Sequence, residues 1–218
     1  MAVKIPQIVP TILTNNVEEF QAALVMLNEF TKHVQIDVSD GQFATNKTIS
    51  LNQIFWPEDW QVDLHLMMKK PSEIIDQVIL MKPRLVIVHA EIEDDMKLIS
   101  SKLHQAGIKF GIALLKSTVP ETKSNLIAGA EHVLIFAGEL GQMGGQASIL
   151  QTEKVRLIRK ISPMVEIGWD GGANIDNLSV ILRSGVDIVN VGSAISMTPN
   201  PQEAFKQMVE MTKKNDII

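Results

Sequence analysis

One rhythm runs the length of this chain. Short runs rich in β-branched and apolar residues alternate with longer stretches of helical periodicity. The runs are Ile8–Leu13, Val34–Val38, Val62–Leu66, Leu85–His89, Lys109–Leu114, His132–Phe136, Met164–Ile167 and Asp187–Val191. The helical stretches include Val17–Phe30, Ser72–Met81, Asp94–Gln105, Glu153–Lys160, Ile175–Arg183 and Gln202–Thr212. Val17, Phe20, Leu24 and Leu27 recur at helical spacing. Asn16 is placed to cap that helix, with Glu18 and Glu19 in its first turn. Gly107 follows a helix ending near Ala106, and Pro201 suits the first turn of the last one. Near-continuous apolar strands between helices indicate a parallel sheet covered by helices. Eight such units in 218 residues predict a compact (β/α)8 barrel, near the lower size limit for that architecture. An open doubly wound sheet would carry G-x-G-x-x-G after its first strand, and Thr11-Ile12-Leu13-Thr14 is nothing like it. No linker or low-complexity tract marks a boundary, so residues 1–218 read as one barrel domain.

Composition removes several function classes. The chain has 20 basic and 25 acidic residues, a net charge of −5, and no basic block of the kind that neutralises phosphates along a nucleic acid. With no cysteine it has no disulfides, thiolate zinc sites, iron–sulfur clusters or cysteine nucleophiles. No apolar run approaches the ~18 residues of a membrane span. The first residues lack the unbroken apolar core of a secretion signal. The expectation is a cytoplasmic protein that binds neither nucleic acid nor membrane.

In a (β/α)8 barrel the active site lies at the C-terminal ends of the strands. The second strand offers Gln35 and Asp37 on one face, with Ile36 and Val38 on the other, so Asp37 points into the barrel. The third strand offers His65, and the seventh ends in Asp170. Two inward carboxylates and a histidine at one rim suit two roles. They can ligate a divalent metal, or act as acid and base on opposite faces of a substrate carbon. A strand histidine is also a common satisfied core residue, and for His89 at the end of the fourth strand that structural role is the expectation. His33, His104 and His132 sit at strand starts or on a helix and read as surface residues.

Glycine-rich segments follow the last strands: Gly141-Gln142-Met143-Gly144-Gly145-Gln146, Gly171-Gly172 and Gly192-Ser193-Ala194. Each pair could be a turn. Clustered on adjacent loops, where barrels often hold phosphate, their backbone N–H groups suit a phosphate site. Lys116 and Arg183 could join it, although the spacing does not require them.

These same segments, in chain order, resemble the ribulose-phosphate 3-epimerase family. Val9-Pro10-Thr11-Ile12-Leu13 corresponds to its Pro-Ser-Ile-Leu opening. Ile36-Asp37-Val38-Ser39-Asp40-Gly41-Gln42-Phe43 corresponds to Val-Asp-Val-Met-Asp-Gly-x-Phe, and Asp63-Leu64-His65-Leu66-Met67 to Asp-Val-His-Leu-Met. Val88-His89-Ala90-Glu91, Gly144-Gly145-Gln146, Asp170-Gly171-Gly172 and Val191-Gly192-Ser193-Ala194-Ile195 complete the series. The resemblance implies an α/β fold, a (β/α)8 TIM barrel of the ribulose-phosphate-binding type. It implies an isomerase of carbohydrate metabolism that interconverts ribulose 5-phosphate and xylulose 5-phosphate, or a related pentulose or hexulose phosphate. Asp37 and Asp170 would be the proton-transfer pair. A divalent metal (zinc, manganese, iron or magnesium) would sit on Asp37, His65, Asp170 and Gln35. Thr11, Met67, Gly144, Gly145, Gly171, Gly172, Gly192 and Ser193 would bind the sugar phosphate. A homodimer or higher homo-oligomer is common in the family.

The departures fall on the site. Gln35 stands where the family has a metal-ligating histidine, and an amide oxygen is a weaker zinc ligand than imidazole. His33 has the same strand parity but lies one pleat deeper, ~6–7 Å along the strand. Ser39 and Phe136 replace methionines. Gly138-Glu139-Leu140 replaces an Asn-Pro, bringing Glu139 toward a dianionic group. The alternative is a catalytically silent barrel that binds a sugar phosphate after losing its metal site. A sugar-phosphate decarboxylase is disfavoured, because no lysine stands among Asp37, Val38, Ser39 and Asp40.

Overall fold

The structure is a computed structural model and describes residues 5–142 and 144–214. Eight parallel strands close into a barrel in sequence order: β1 (Gln7–Ile12), β2 (His33–Ser39), β3 (Gln61–Met67), β4 (Leu85–His89), β5 (Lys109–Leu114), β6 (His132–Phe136), β7 (Glu166–Asp170) and β8 (Ile188–Val191). The helices are α1 (Val17–Asn28), α2 (Ile75–Met81), α3 (Met96–Gln105), α4 (Ser124–Ala128), α5 (Glu153–Ile161), α6 (Leu178–Arg183), α7 (Ser193–Ser196) and α8 (Pro201–Lys214). This is the (β/α)8 barrel that the alternation predicts.

Local chemistry sets the boundaries. Asn16 Oδ1 accepts the Glu19 N–H at 2.9 Å and starts α1. Gly107 adopts φ +73° just beyond α3, where a side chain would be strained. Two elements differ from the periodicity. The seventh strand is Glu166–Asp170, later than Met164–Ile167, because Met164 is 83% exposed while Trp169 is fully buried under the helices. Asp170 thus stands inside the strand, at its end. Between β2 and β3 the connection has no α-helix, only a short 3-10 turn at Leu51–Gln53. Its length is spent on a loop that folds over the rim.

Alternation along the strands divides the apolar residues into two cores. The larger lies between sheet and helices and includes Ile36, Val38, Leu64, Leu66, Val88, Ile135, Ile167 and Trp169. The smaller fills the barrel itself with Leu85, Ile87, Ala113 and Leu134. This plug separates two layers of buried polar residues, one at each end of the strands.

The layer at the N-terminal end centres on Arg84. Its guanidinium donates to both Asp63 oxygens at 2.6 Å each and to Glu166 Oε1 at 3.2 and 3.3 Å. His33 Nε2 lies 2.9 Å from Asp63, and His132 Nδ1 lies 3.1 Å from Glu166. Two of the expected surface histidines are therefore in the interior layer. His132 is 1% exposed and the His33 side chain only 15%. Carboxylates placed inside the strand starts draw both imidazoles inward. A Cβ on Gly168 would stand 2.6 Å from His132 Nε2, so glycine there makes room for the ring.

A candidate active site at the C-terminal rim

β2, β3 and β7 bring Gln35, Asp37, His65 and Asp170 together at the other end of the barrel. The Gln35 Nε2 donates to Asp37 Oδ1 at 2.9 Å and to Asp170 Oδ2 at 2.7 Å. His65 Nδ1 lies 3.0 Å from Asp37 Oδ1 and 3.8 Å from Asp170 Oδ2. Gln35 and His65 are fully buried, and the two aspartates are 9% and 8% exposed. Burial pushes the Asp170 carboxyl up to about 7, and the charge of Asp37 pushes the same way; His65 and the Gln35 amide partly offset both. Two buried carboxylates that close resist ionising together.

The donor set fits a divalent cation. Ligand atoms of Asp37, His65 and Asp170 all lie within 4.8 Å of one another. Unpartnered buried atoms nearby agree. Gln35 Oε1 has no hydrogen-bond partner among the described residues, and it is the atom this amide would offer a cation if turned over. Behind the site, His65 Nε2 lies 2.9 Å from His89 Nε2, and His89 Nδ1 lies 3.5 Å from Glu91 Oε2. His89 Nδ1 and Glu91 Oε2 both lack a close partner. Both are satisfied if His65 keeps its Nε2–H and His89 its Nδ1–H, each imidazole donating toward Glu91. His65 Nδ1 is then the ring nitrogen turned toward Asp37 and Asp170, where a cation would sit.

His89 is thus more than an isolated core residue. It does not line the cleft, but it orients His65 from behind. Burial lowers its pKa to about 4, against the pull of Glu91. Phe43 and Phe136 pack against its ring with centroids 4.7 and 5.9 Å away. Glu91 accepts the Leu115 N–H at 3.0 Å and the Thr118 hydroxyl. Burial opposes its charge, yet His89 and these donors hold its carboxyl below the ordinary range.

Above the cluster opens a cleft that is continuous with solvent. Asp37 and Asp170 reach its floor, while Thr11, Met67 and Phe136 form part of its wall. Gly144, Gly145, Gly171, Gly172, Gly192 and Ser193 also face it. Gln35 and His65 lie beneath. The glycines serve close packing as well. Gly171 has φ +104°, and a Cβ there would stand 2.2 Å from Gly138 N. A Cβ on Gly172, at φ +68°, would stand 2.2 Å from Ala147 N. Met143 lies outside the described residues.

Glu139 lines the cleft, but Lys116 Nζ pairs with its carboxylate, which answers the charge problem its position raises. Ser39 does not reach the cleft. It is 3% exposed and donates its hydroxyl to Asn46 O at 2.5 Å. Asn46 Nδ2 in turn donates to Gly141 O at 2.8 Å, tying the loop after β2 to the loop after β6. Arg183, on α6, borders a different depression with Arg156 and Thr152.

Asn190 joins the site without a motif to mark it in the sequence. It lies in β8, level with Asp170 of β7, lines the cleft and is 2% exposed. A lone polar residue of inward parity in Ile188-Val189-Asn190-Val191 was the available signal.

Comparison with known proteins agrees with this arrangement. The chain is 27% identical over 187 residues to ribulose-phosphate 3-epimerase of Schizosaccharomyces pombe, covering 83% of this chain and 82% of that protein. It is 33% identical to the enzyme of the same name from Encephalitozoon cuniculi, over 74% and 73% of the two chains. Among solved structures, 3-hexulose-6-phosphate synthase from Salmonella typhimurium superposes with a TM-score of 0.70 over 96% of this chain and 99% of its own, at 17% identity, a likeness of fold alone. The sequence model described as the ribulose-phosphate 3 epimerase family matches residues 7–196. The chain belongs to the ribulose-phosphate 3-epimerase family, a family of carbohydrate epimerases.

Proposed function

We propose that this protein inverts C3 of a ketose phosphate, either ribulose 5-phosphate and xylulose 5-phosphate or a related pentulose or hexulose phosphate. The observation that carries this reading is the pair of buried carboxylates, Asp37 and Asp170, joined by one amide beneath a cleft lined with glycines. Asp170, pushed up to about 7, holds a proton in a range where an ordinary carboxyl has lost it. One carboxylate takes the C3 proton from one face of the substrate. The other, as the acid, returns a proton to the opposite face of the resulting enediolate, and the reverse reaction exchanges the roles. The Gln35 N–H groups hold both carboxylates at one level, and His65 supports Asp37 from the side.

Asp37, His65 and Asp170, with Gln35 as a fourth and weaker donor, would hold a divalent metal (zinc, manganese, iron or magnesium). When bound, such an ion supplies a Lewis acid for the developing oxyanion. Gly144, Gly145, Gly171, Gly172, Gly192 and Ser193 would receive the phosphate through backbone N–H groups, while Thr11 and Met67 flank the sugar. We take residues 1–218 as one barrel domain, cytoplasmic and self-associating, with no nucleic-acid or membrane partner. Among the described residues no helix is long and apolar enough to cross a membrane.

The test is proton–deuterium exchange in heavy water followed by NMR, with ribulose 5-phosphate, xylulose 5-phosphate and hexulose 6-phosphates, with and without zinc, manganese or magnesium. Exchange at C3 with epimer formation is the expected result. A folded protein that binds sugar phosphate but exchanges nothing would be the silent barrel to which the substitution at Gln35 lends support.

A further inference from the structure

We infer that Asn190 determines specificity by reading a substrate hydroxyl, the one between the reacting carbon and the phosphate. The inference rests on the reading of the cleft as a ketose-phosphate site. Asn190 is 2% exposed, and its Oδ1 is buried without a hydrogen-bond partner. Its side chain makes no hydrogen bond to any described residue. A buried amide oxygen left unpaired costs roughly 1–3 kcal/mol, which a cleft-facing position recovers when a ligand or water supplies the donor.

Placement narrows the ligand group. Asn190 is level with Asp170 across the β7–β8 ladder and two residues before Gly192-Ser193 on the same strand. It therefore lies between the carboxylate that handles the reacting carbon and the loop assigned to the phosphate. Phosphate oxygens and a ketone oxygen only accept, so neither could satisfy Oδ1. A hydroxyl both donates to Oδ1 and accepts from Nδ2. On a ketose 5-phosphate whose C3 is inverted, the hydroxyl between that carbon and the phosphate is on C4. Among the described residues two other buried amide oxygens lack a partner, Gln35 Oε1 and Gln151 Oε1, but neither residue lines the cleft, so neither competes for this role.

The test compares a ketose 5-phosphate with its 4-deoxy analogue, by calorimetry for binding and by NMR for exchange at C3. The wild-type protein should favour the hydroxylated compound by about 5- to 150-fold. In Asn190→Leu, close in volume and without a polar atom, that ratio should fall toward one, while inorganic phosphate binds as before. Asn190→Ala should lose the same discrimination, and thermal melting establishes that each variant is folded. Equal treatment of the two compounds by the wild type, or a ratio unchanged in a folded variant, overturns the inference and leaves the epimerase reading standing. Failure of the wild type to bind any ketose phosphate overturns both.

Discussion

The barrel carries a buried polar layer at each end, and the two are built on opposite principles. At the N-terminal end, one guanidinium joins two carboxylates, and each carboxylate takes a histidine as well. Burial raises the cost of charge there, but His33 and Arg84 hold Asp63 below its ordinary range, and His132 and Arg84 do the same for Glu166. At the C-terminal end two carboxylates face one neutral amide and one imidazole, with no guanidinium or ammonium among their direct partners in the described residues. Asp170 is pushed up, and Gln35 Oε1, Asn190 Oδ1 and His89 Nδ1 stand unpartnered. His132 Nε2 is the corresponding orphan of the other layer. Satisfied charge locks a fold, and unsatisfied polarity waits for a ligand.

That contrast predicts that substitutions at one end abolish chemistry and at the other abolish stability. The largest effect expected is on turnover. Asp37→Asn and Asp170→Asn should each slow C3 exchange by at least ~10²-fold, in the range that general acid–base groups contribute. Asp170→Asn should also raise the melting temperature, since it removes a carboxyl that resists its own charge. Undiminished exchange in either variant removes that residue from the proton-transfer pair. A lower melting temperature would break the contrast.

Next in size is Arg84→Met. It strands two buried carboxylates and should cost about 3–5 kcal/mol in urea unfolding. Exchange per folded molecule should stay near wild type, because the apolar plug of Leu85, Ile87, Ala113 and Leu134 lies between the layers. A selective loss of exchange in folded protein would mean that the ends communicate.

The pH dependence of stability separates the layers again, in protein treated with chelator. Asp63 and Glu166 are lowered from ordinary values of 3.8 and 4.5, so they stabilise above those values and lose that contribution as pH falls through their folded ones. Asp170 is raised from 3.8 to about 7, so its contribution is complete below 3.8 and is lost as pH rises toward 7. Arg84→Met should flatten the acid limb and Asp170→Asn the neutral one. Both limbs surviving both substitutions would mean that other groups set the profile.

A finer measure of the rim is Gln35→His, which replaces an amide by imidazole. Zinc affinity should rise by a factor of ~10 or more, since even outer-layer changes at metal sites move affinity that far. Unchanged affinity in calorimetry would mean that the site takes its ligands elsewhere. The smallest effect is Lys116→Met. It frees the exposed Glu139 carboxylate beside the cleft and should weaken sugar-phosphate binding by about 0.2–1 kcal/mol, the scale of a surface pair. Tighter binding would show that Lys116, not Glu139, is the residue that hinders the ligand.

The legibility of the molecule in its sequence follows the same division. Strand and helix alternation, the cap at Asn16 and the turn at Gly107 depend on neighbours within a few residues, and the structure has them as expected. Alternation along β2 likewise puts Gln35 and Asp37 on one face. The seventh strand departs from the apolar pattern because Glu166, Gly168 and Asp170 interrupt the run that usually announces a strand. Those residues face the barrel interior, where this chain stores its polar layers.

Taken alone, the sequence determined the eight-unit barrel, its rim of Asp37, His65 and Asp170, and the substitution at Gln35. Tertiary closure decided what those residues touch. Only the barrel brings Asp170 within reach of an amide 135 positions earlier, sets His89 against His65 and draws His33 and His132 into the charged layer. It also leaves Asn190 Oδ1 without a partner among the described residues. Backbone conformation answers to local sterics and periodicity, which a linear sequence displays. Charge satisfaction depends on burial and on partners supplied by other strands, and these exist only once the sheet has closed.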